Sequence, residues 1–383
     1  MKRRPQNPDN AAVNMRRSFS AQGGDVGIVL SGGGSRAAYQ IGALKALAPH
    51  LLRHENPVSI IIGSSIGAIN GLMIAATFGE GLNKALAITE EVWRERVFQN
   101  TFEGSPSTAF FRAVRMAVVQ YLAPGPNPSQ ASIFNPRPLM RRVDGVIDQF
   151  GGLSPDALKG TLHTVAVMTT VEGAQRKPLL FVSSKKDPHT DLLKGASFEV
   201  NFVKRLHAKH GFASAALPSV LPPVELDTEN GTVRLVDGGI SMNVPVDPAA
   251  RLGAEQVVVV DISGRSWWHD RYQEPHDTSP TWEVKSGSDT FCLRPPETLV
   301  FRNQDGLGKL LKASVGNSTK KFMSALGPVW PVFQLLKRKL GEELAYEVVS
   351  YVALDHDYVQ ALLEAGFNET HQQLQNRGFH FTR

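Results

Sequence analysis

Val58-Ser59-Ile60-Ile61-Ile62-Gly63-Ser64-Ser65-Ile66-Gly67-Ala68-Ile69-Asn70 is the stretch on which the reading of this chain turns. The β-branched run 58–62 predicts a short strand buried on both faces. Residues 66–78 predict a tightly packed helix rich in small side chains. Between them stands Gly63-Ser64-Ser65-Ile66-Gly67, a Gly-x-Ser-x-Gly placed where a strand turns directly into a helix. Gly63 and Gly67 remove the Cβ atoms that would collide in so sharp an elbow, and the central serine projects its hydroxyl at the helix N-terminus. Helix-end N–H groups favour negative charge developing nearby. Ser65 is therefore the candidate nucleophile.

Two plainer readings compete. Gly-x-Ser-x-Gly alone often makes only a turn, and the uncharged interval between Glu55 and Glu80 is long enough for a membrane span. That interval contains glycines, serines and an asparagine, however, and its pattern switches from strand to helix at Gly63. A buried strand–turn–helix accounts for the switch; a lipid-facing helix does not.

Upstream, residues 25–30 predict a first strand, followed directly by Ser31-Gly32-Gly33-Gly34-Ser35. A helix opens near Arg36, with Ala38, Ile41, Leu44, Leu47 and Leu51 at helical spacing. Strand, glycine loop, helix, strand and elbow form a βαβ unit, which implies a parallel sheet. The loop also fits the loose dinucleotide fingerprint, but that motif needs an acid at the end of the second strand. Glu55 precedes that strand, at the wrong end. What remains is a loop of backbone N–H groups beside a serine elbow, the material of an oxyanion hole. Three glycines let the backbone approach a reacting carbonyl, and Arg36 would brace the loop or add positive potential.

Downstream, residues 83–96 read as an amphipathic helix. An insertion at 102–128 holds a helix at 108–122, whose Phe110, Phe111, Met116, Val119 and Tyr121 suit a lid, a membrane contact or core packing. A helix is expected through 132–150, strands at 163–170 and 179–183, and a helix at 202–216. Asn230-Gly231 closes a hairpin between 224–226 and 233–236, and its second strand delivers Asp237 with Gly238 and Gly239. Residues 227–231 superficially match a calcium loop, but the position six beyond the glycine holds Asp237 instead of glutamate. They read as a turn. A buried parallel-type strand occupies 256–261.

Beyond Gly264 the chain turns polar and loop-rich (265–296, with Trp267, Trp268 and Trp282), then alternates basic and apolar residues over 307–349. An amphipathic helix closes it at 358–375. Residues 329–340, with Lys337, Arg338 and Lys339, suit either an anionic lipid surface or, more naturally, the solvated face of a capping helix. The plan is a polar, basic, disordered tail (1–24), a catalytic domain (25–264) and a partly helical C-terminal extension (265–383) that serves as a cap or a membrane or partner contact.

The composition is that of a globular protein: 383 residues, 42% hydrophobic, 20% charged, with a formal charge of +5. Cys292 is the one cysteine, so there is no intrachain disulfide and no cysteine-cluster metal site. The tail lacks the apolar core of a secretory signal. Mild basicity suits an anionic membrane surface; no nucleic-acid partner is expected. A cytoplasmic location, with peripheral contact at a membrane, is the expectation.

A serine hydroxyl needs a positioned base, commonly a histidine oriented by a carboxylate. The late histidines His356, His371 and His380 could supply one, although none sits at a recognisable strand end. Asp237, on a glycine-flanked turn after a strand, is the more singular candidate.

Together these stretches resemble the patatin-like phospholipase family. The resemblance rests on Gly32-Gly33-Gly34-Ser35-Arg36, the elbow around Ser65 and the Asp237-Gly238-Gly239 turn. Ala213-Ser214-Ala215-Ala216-Leu217-Pro218 with Pro222-Pro223 is similar to the family's segment before the aspartate, and Asn243 and Pro245 to its segment after the aspartate. It covers roughly 27–261 and implies a three-layer α/β/α fold with a mostly parallel central sheet. It also implies a Ser–Asp dyad without histidine: Ser65 as nucleophile, Asp237 as base, and oxyanion N–H groups from Gly32, Gly33 and Gly34 with Arg36 in the same motif. Ala37 departs from the glycine that many members carry after the arginine. The expected activity is hydrolysis of phospholipid or other acyl-ester lipid through an acyl-serine, with no metal or cofactor. An acyltransferase using the same acyl-enzyme and a non-catalytic lipid-binding protein are the other classes; the presence of both Ser65 and Asp237 argues against the latter.

Overall fold

A computed structural model describes residues 25–52, 58–122, 132–186, 190–193, 195–263, 282–286, 289–293, 297–303, 306–316 and 318–377. The basic tail 1–24, Trp267, Trp268 and His380 lie outside them, as do the side chains of Met116, Val119 and Tyr121.

Strand β1 (Val26–Leu30) leads through the glycine loop into helix α1 (Ala37–Leu51), and β2 (Val58–Ser64) turns at Ser65 into α2 (Ile66–Thr77). The two strands pair in parallel, with Leu30 opposite Gly63, so both turns open at the same end of the sheet. Helix α3 (Leu82–Arg94) runs back along α2. Helices α4 (Pro106–Leu122) and α5 (Arg137–Gln149) come after it. Next are β3 (Thr164–Val171), β4 (Pro178–Ser184) and β5 (Glu199–Phe202).

Residues 202–216, expected to be helical throughout, divide differently. Val203 N–H donates to Val182 O and Leu206 N–H to Leu153 O, which holds the backbone extended beyond β5. Helix α6 therefore spans only Ala208–Ser214. The hairpin forms where Asn230-Gly231 placed it, between β6 (Val224–Thr228) and β7 (Gly231–Val236), and Gly231 supplies the φ of 110° that such a turn requires. Helix α7 (Val246–Arg251) and strand β8 (Gln256–Asp261) return the chain to the sheet beside β1.

Along the sheet the order is β11-β8-β1-β2-β3-β4-β5, where β9 (Trp282–Ser286) and β10 (Asp289–Leu293) form a separate hairpin and β11 is Glu297–Arg302. Pairing is parallel except for β3 with β4 and with the β6–β7 hairpin. Alternate side chains face opposite layers: Ile28, Leu30, Ile61, Val258 and Val260 join one apolar cluster, while Val29, Ile60, Ile62, Val257 and Val259 join another. The fold is thus a mostly parallel central sheet flanked by helices, with a helical C-terminal region.

Gly264 does not mark the edge of this sheet. β11 pairs in parallel with β8, and α8 (Leu307–Val315), α9 (Thr319–Leu326), α10 (Trp330–Leu340), α11 (Glu342–Val349) and α12 (His356–Asn376) come after it. Helix α12 lies along α1, so closely that a Cβ at Gly42 would come within 2.0 Å of Leu363 O. The C-terminal residues complete the body that carries the elbow.

Candidate active site

Ser65 stands at the elbow with φ 52° and ψ −129°, a conformation that a non-glycine residue holds only at a cost of about 1–3 kcal/mol. The surroundings enforce it. A Cβ at Gly67 would lie 2.3 Å from Leu30 O, so the α2 N-terminus presses directly on β1. Ser65 N–H donates to Ser214 Oγ at 2.7 Å, and Ser214 Oγ donates onward to Met168 O. Ser64 is fully buried and points elsewhere, with its Oγ against the backbone of Gly238.

Asp237 comes directly after β7 and meets the elbow from across the sheet. Ser65 Oγ donates to Asp237 Oδ2 at 2.6 Å, and Gly239 N–H donates to Asp237 Oδ1 at 2.7 Å. The Asp237 backbone is fixed at both ends: its N–H donates to Ala216 O at 3.0 Å, and its carbonyl accepts from Thr170 Oγ1 at 2.8 Å. Asp237 is 5% exposed. Burial pushes its carboxyl up to about 6, against the opposing hydrogen bonds from Ser65 and Gly239. Of the suggested histidines, His356 lies beside Arg94 O and His371 beside Gln375, and no histidine is bonded to Ser65 or Asp237 among the described residues.

The glycine loop passes against Ser65: a Cβ at Gly32 would lie 2.7 Å from Ser65 Cβ. Its N–H groups are not equivalent. That of Gly32 donates to Asn243 Oδ1 at 3.1 Å and is already engaged. Those of Gly33 and Gly34 have no hydrogen-bond partner among the described residues. Gly34 has φ 60°, and a Cβ there would meet Tyr351 O at 2.1 Å.

Arg36, grouped with the oxyanion donors on sequence grounds, is placed otherwise. Its side chain is fully buried and its guanidinium is consumed by the C-terminal region: Ser350 Oγ at 2.8 Å, Ser263 O at 3.1 Å, the Glu347 carbonyl, and the Glu347 carboxylate at 2.8 Å. The Tyr351 ring lies 3.9 Å from it. Ser35 N–H donates to Tyr351 O at 2.7 Å. Arg36 is the brace of the loop, anchored to residues far along the chain.

Sequence reasoning gave no role to Ser214, Asn243, Glu347 or Tyr351. Ser214 and Asn243 lie in stretches quoted for the resemblance above. For Glu347 and Tyr351 no local signal exists. No group of three or more metal-ligating side chains occurs among the described residues. Residues 227–231 form the hairpin turn, where Thr232 Oγ1 donates to Asp227 Oδ1 at 2.6 Å. No helix of the described residues is long and apolar enough to cross a membrane.

The family model described as patatin-like phospholipase matches residues 28–250, over half of the chain. Patatin-like phospholipase domain-containing protein 7 of Rattus norvegicus is 26% identical over 265 residues, and that of Mus musculus 25%. The match covers 67% of this chain but 15% of the length of each relative. Among solved structures, human GIVD cytosolic phospholipase A2 is 13% identical, with a TM-score of 0.46, covering 97% of this chain and 62% of that one.

Proposed function

We propose that this chain, which belongs to the patatin-like phospholipase family, hydrolyses carboxylic esters of phospholipids or similar acyl lipids through an acyl-Ser65 intermediate. The observation that carries the reading is the direct 2.6 Å hydrogen bond from Ser65 Oγ to Asp237 Oδ2. In the acylation step Asp237 accepts the Ser65 proton as Oγ bonds to the ester carbonyl carbon. The unengaged N–H groups of Gly33 and Gly34 face the developing oxyanion. Collapse of the tetrahedral intermediate breaks the ester C–O bond and the proton passes from Asp237 to the leaving alcohol. Water, deprotonated by Asp237, then attacks the acyl carbon, the bond from that carbon to Ser65 Oγ breaks as Asp237 returns the proton to Oγ, and the fatty acid leaves.

An aspartate is ordinarily too weak a base for this at neutral pH. Burial of Asp237 narrows the mismatch by raising its pKa, and the hydrogen bond places the acceptor where the proton leaves. Ionised Asp237 retains the N–H donor of Gly239, which holds the carboxylate in one rotamer. Contact with the bilayer that holds the substrate is supported by α10, a surface helix that exposed Trp330 opens and the basic residues Lys337, Arg338 and Lys339 close, with Lys337 also paired to Glu342 at 3.0 Å.

Mass spectrometry of the products from a mixed phospholipid extract, with and without a lysolipid acceptor, tests the reading. Release of free fatty acid in both arms is expected. Acyl transfer to the acceptor in place of fatty acid would assign the same acyl-enzyme to a transferase.

A further inference from the structure

Arg96 lies just beyond the C-terminus of α3, and the fold carries it to the active-site end of the sheet. The α2–α3 turn lies at the other end, where Phe78, Gly79, Gly81 and Leu82 line one cavity with Val58, the first residue of β2. Helix α3 then returns the full height of the layer, and Arg96 Nη2 reaches Ser35 Oγ at 3.3 Å on the glycine loop. Arg96 is 8% exposed, yet no carboxylate pairs with it among the described residues, and its Nε has no hydrogen-bond partner.

Of the acids nearest in sequence, Glu90 and Glu95 are committed to other cations, and Glu91 is exposed. Glu90 is held by Lys45 and by Arg94 at 2.5 Å, and Glu95 by Arg142. The contrast with Arg36 is sharp: that guanidinium is also buried beside the same loop but is neutralised by Glu347. An uncompensated buried cation is costly. The Trp93 ring, 4.8 Å from the Arg96 guanidinium, and the carbonyl end of α3 offset only part of that cost. Burial accordingly lowers the Arg96 pKa, the direction expected of a cation lacking its anion. A planar fork of N–H donors with its counter-ion missing suits a phosphate.

We propose that Arg96 is a specificity-determining residue that binds the phosphate of the substrate headgroup beside the glycine loop, a role that rests on the lipid-ester reading above. Arg96 touches the leaving-group side of the substrate and takes no proton. It selects phosphate-bearing lipids over neutral esters with the same acyl chain.

The test compares the full chain with Arg96→Gln and Arg96→Lys, using palmitoyl lysophosphatidylcholine and monopalmitoylglycerol in the same neutral micelles. Loss of a charge-assisted contact predicts a ~10–100-fold fall in kcat/KM for the phosphate ester in Arg96→Gln. The neutral ester is expected to change less than ~3-fold, and Arg96→Lys to recover part of the selectivity by restoring the charge. A second measurement needs no turnover. Inorganic phosphate and glycerol 3-phosphate should each raise the Tm of the wild type, glycerol should not, and Arg96→Gln should abolish both shifts. A larger shift with glycerol 3-phosphate marks the site as one for a headgroup; equal shifts mark it as one for phosphate itself. If the wild type hydrolyses neither ester, the lipid-ester reading fails and the Tm series alone decides Arg96. Equal losses on both esters, unchanged selectivity, or no anion-dependent shift would overturn the proposal.

Discussion

Ser65 Oγ and Asp237 Oδ2 lie 2.6 Å apart, although 172 residues separate them and each sits on a different supersecondary unit. The serine is delivered by a strand–helix elbow and the aspartate by the second strand of a hairpin. Neither arrives through a histidine. The pH behaviour of the chain should therefore carry the signature of one buried carboxyl.

With Asp237 as base, kcat/KM should rise with pH, bend near 6 and stay level to about pH 8, because only the ionised carboxylate accepts the serine proton. Asp237→Asn should lie at least ~100-fold lower and lose the bend. A pH–rate series on a soluble ester checks both. An Asn variant retaining the bend would assign it to another group.

The same carboxyl makes a stability prediction with a definite sign. Its folded pKa, about 6, lies above the unfolded value near 3.9, so the unfolded chain ionises first as pH rises. The contribution to stability is complete below pH 4 and is lost as pH climbs through 6. Asp237→Asn should accordingly raise Tm by a few degrees relative to wild type at pH 8, with the gain vanishing at pH 4. A variant less stable than wild type at pH 8 would count against the buried, destabilising carboxylate.

Ser214→Ala removes the acceptor for Ser65 N–H and leaves that buried group unpaired. The expected loss is about 1–3 kcal/mol in stability. A fall in kcat of roughly tenfold should accompany it, since a small displacement of Ser65 degrades the reacting geometry. Chemical denaturation and kinetics on the same preparation check it. Loss of stability with unchanged kcat would mean that the elbow holds its shape without this contact.

The Arg36–Glu347 pair ties the glycine loop to α11. Glu347→Gln strands a buried guanidinium, and breaking such a pair costs about 3–5 kcal/mol. Glu80→Gln, which breaks a surface pair with Lys84, should leave Tm unchanged. Paired thermal melts make the comparison, and equal small effects from both would remove Arg36 as the brace.

Local structures set by immediate neighbours in sequence were legible. The strand–elbow–helix pattern located Ser65, and the Asn230-Gly231 turn located the hairpin that ends at Asp237. Contacts between distant segments were not. Nothing near Arg36 announces Glu347, so the sequence leaves open whether Arg36 braces the loop or adds positive potential, and the pair with Glu347 favours the brace. Gly32 was grouped with Gly33 and Gly34, yet Asn243 occupies its N–H. The helix expected at 202–216 failed because the apolar pattern could not register that Val203 and Leu206 bond to Val182 and Leu153. The edge strand β11 escaped notice for a similar reason: its partner β8 lies across a polar stretch whose composition reads as the end of a domain.

Labelling with a fluorophosphonate, read by peptide mass spectrometry beside ester hydrolysis, addresses the Ser65–Asp237 dyad most directly. The wild type should carry a single adduct at Ser65, and Asp237→Asn should label at the same residue at least ~100-fold more slowly. Ser65→Ala should neither label nor hydrolyse, while every single histidine-to-glutamine variant keeps both activities. An adduct on Ser64, undiminished hydrolysis by Ser65→Ala, or a folded histidine variant as inactive as Ser65→Ala would contradict the account.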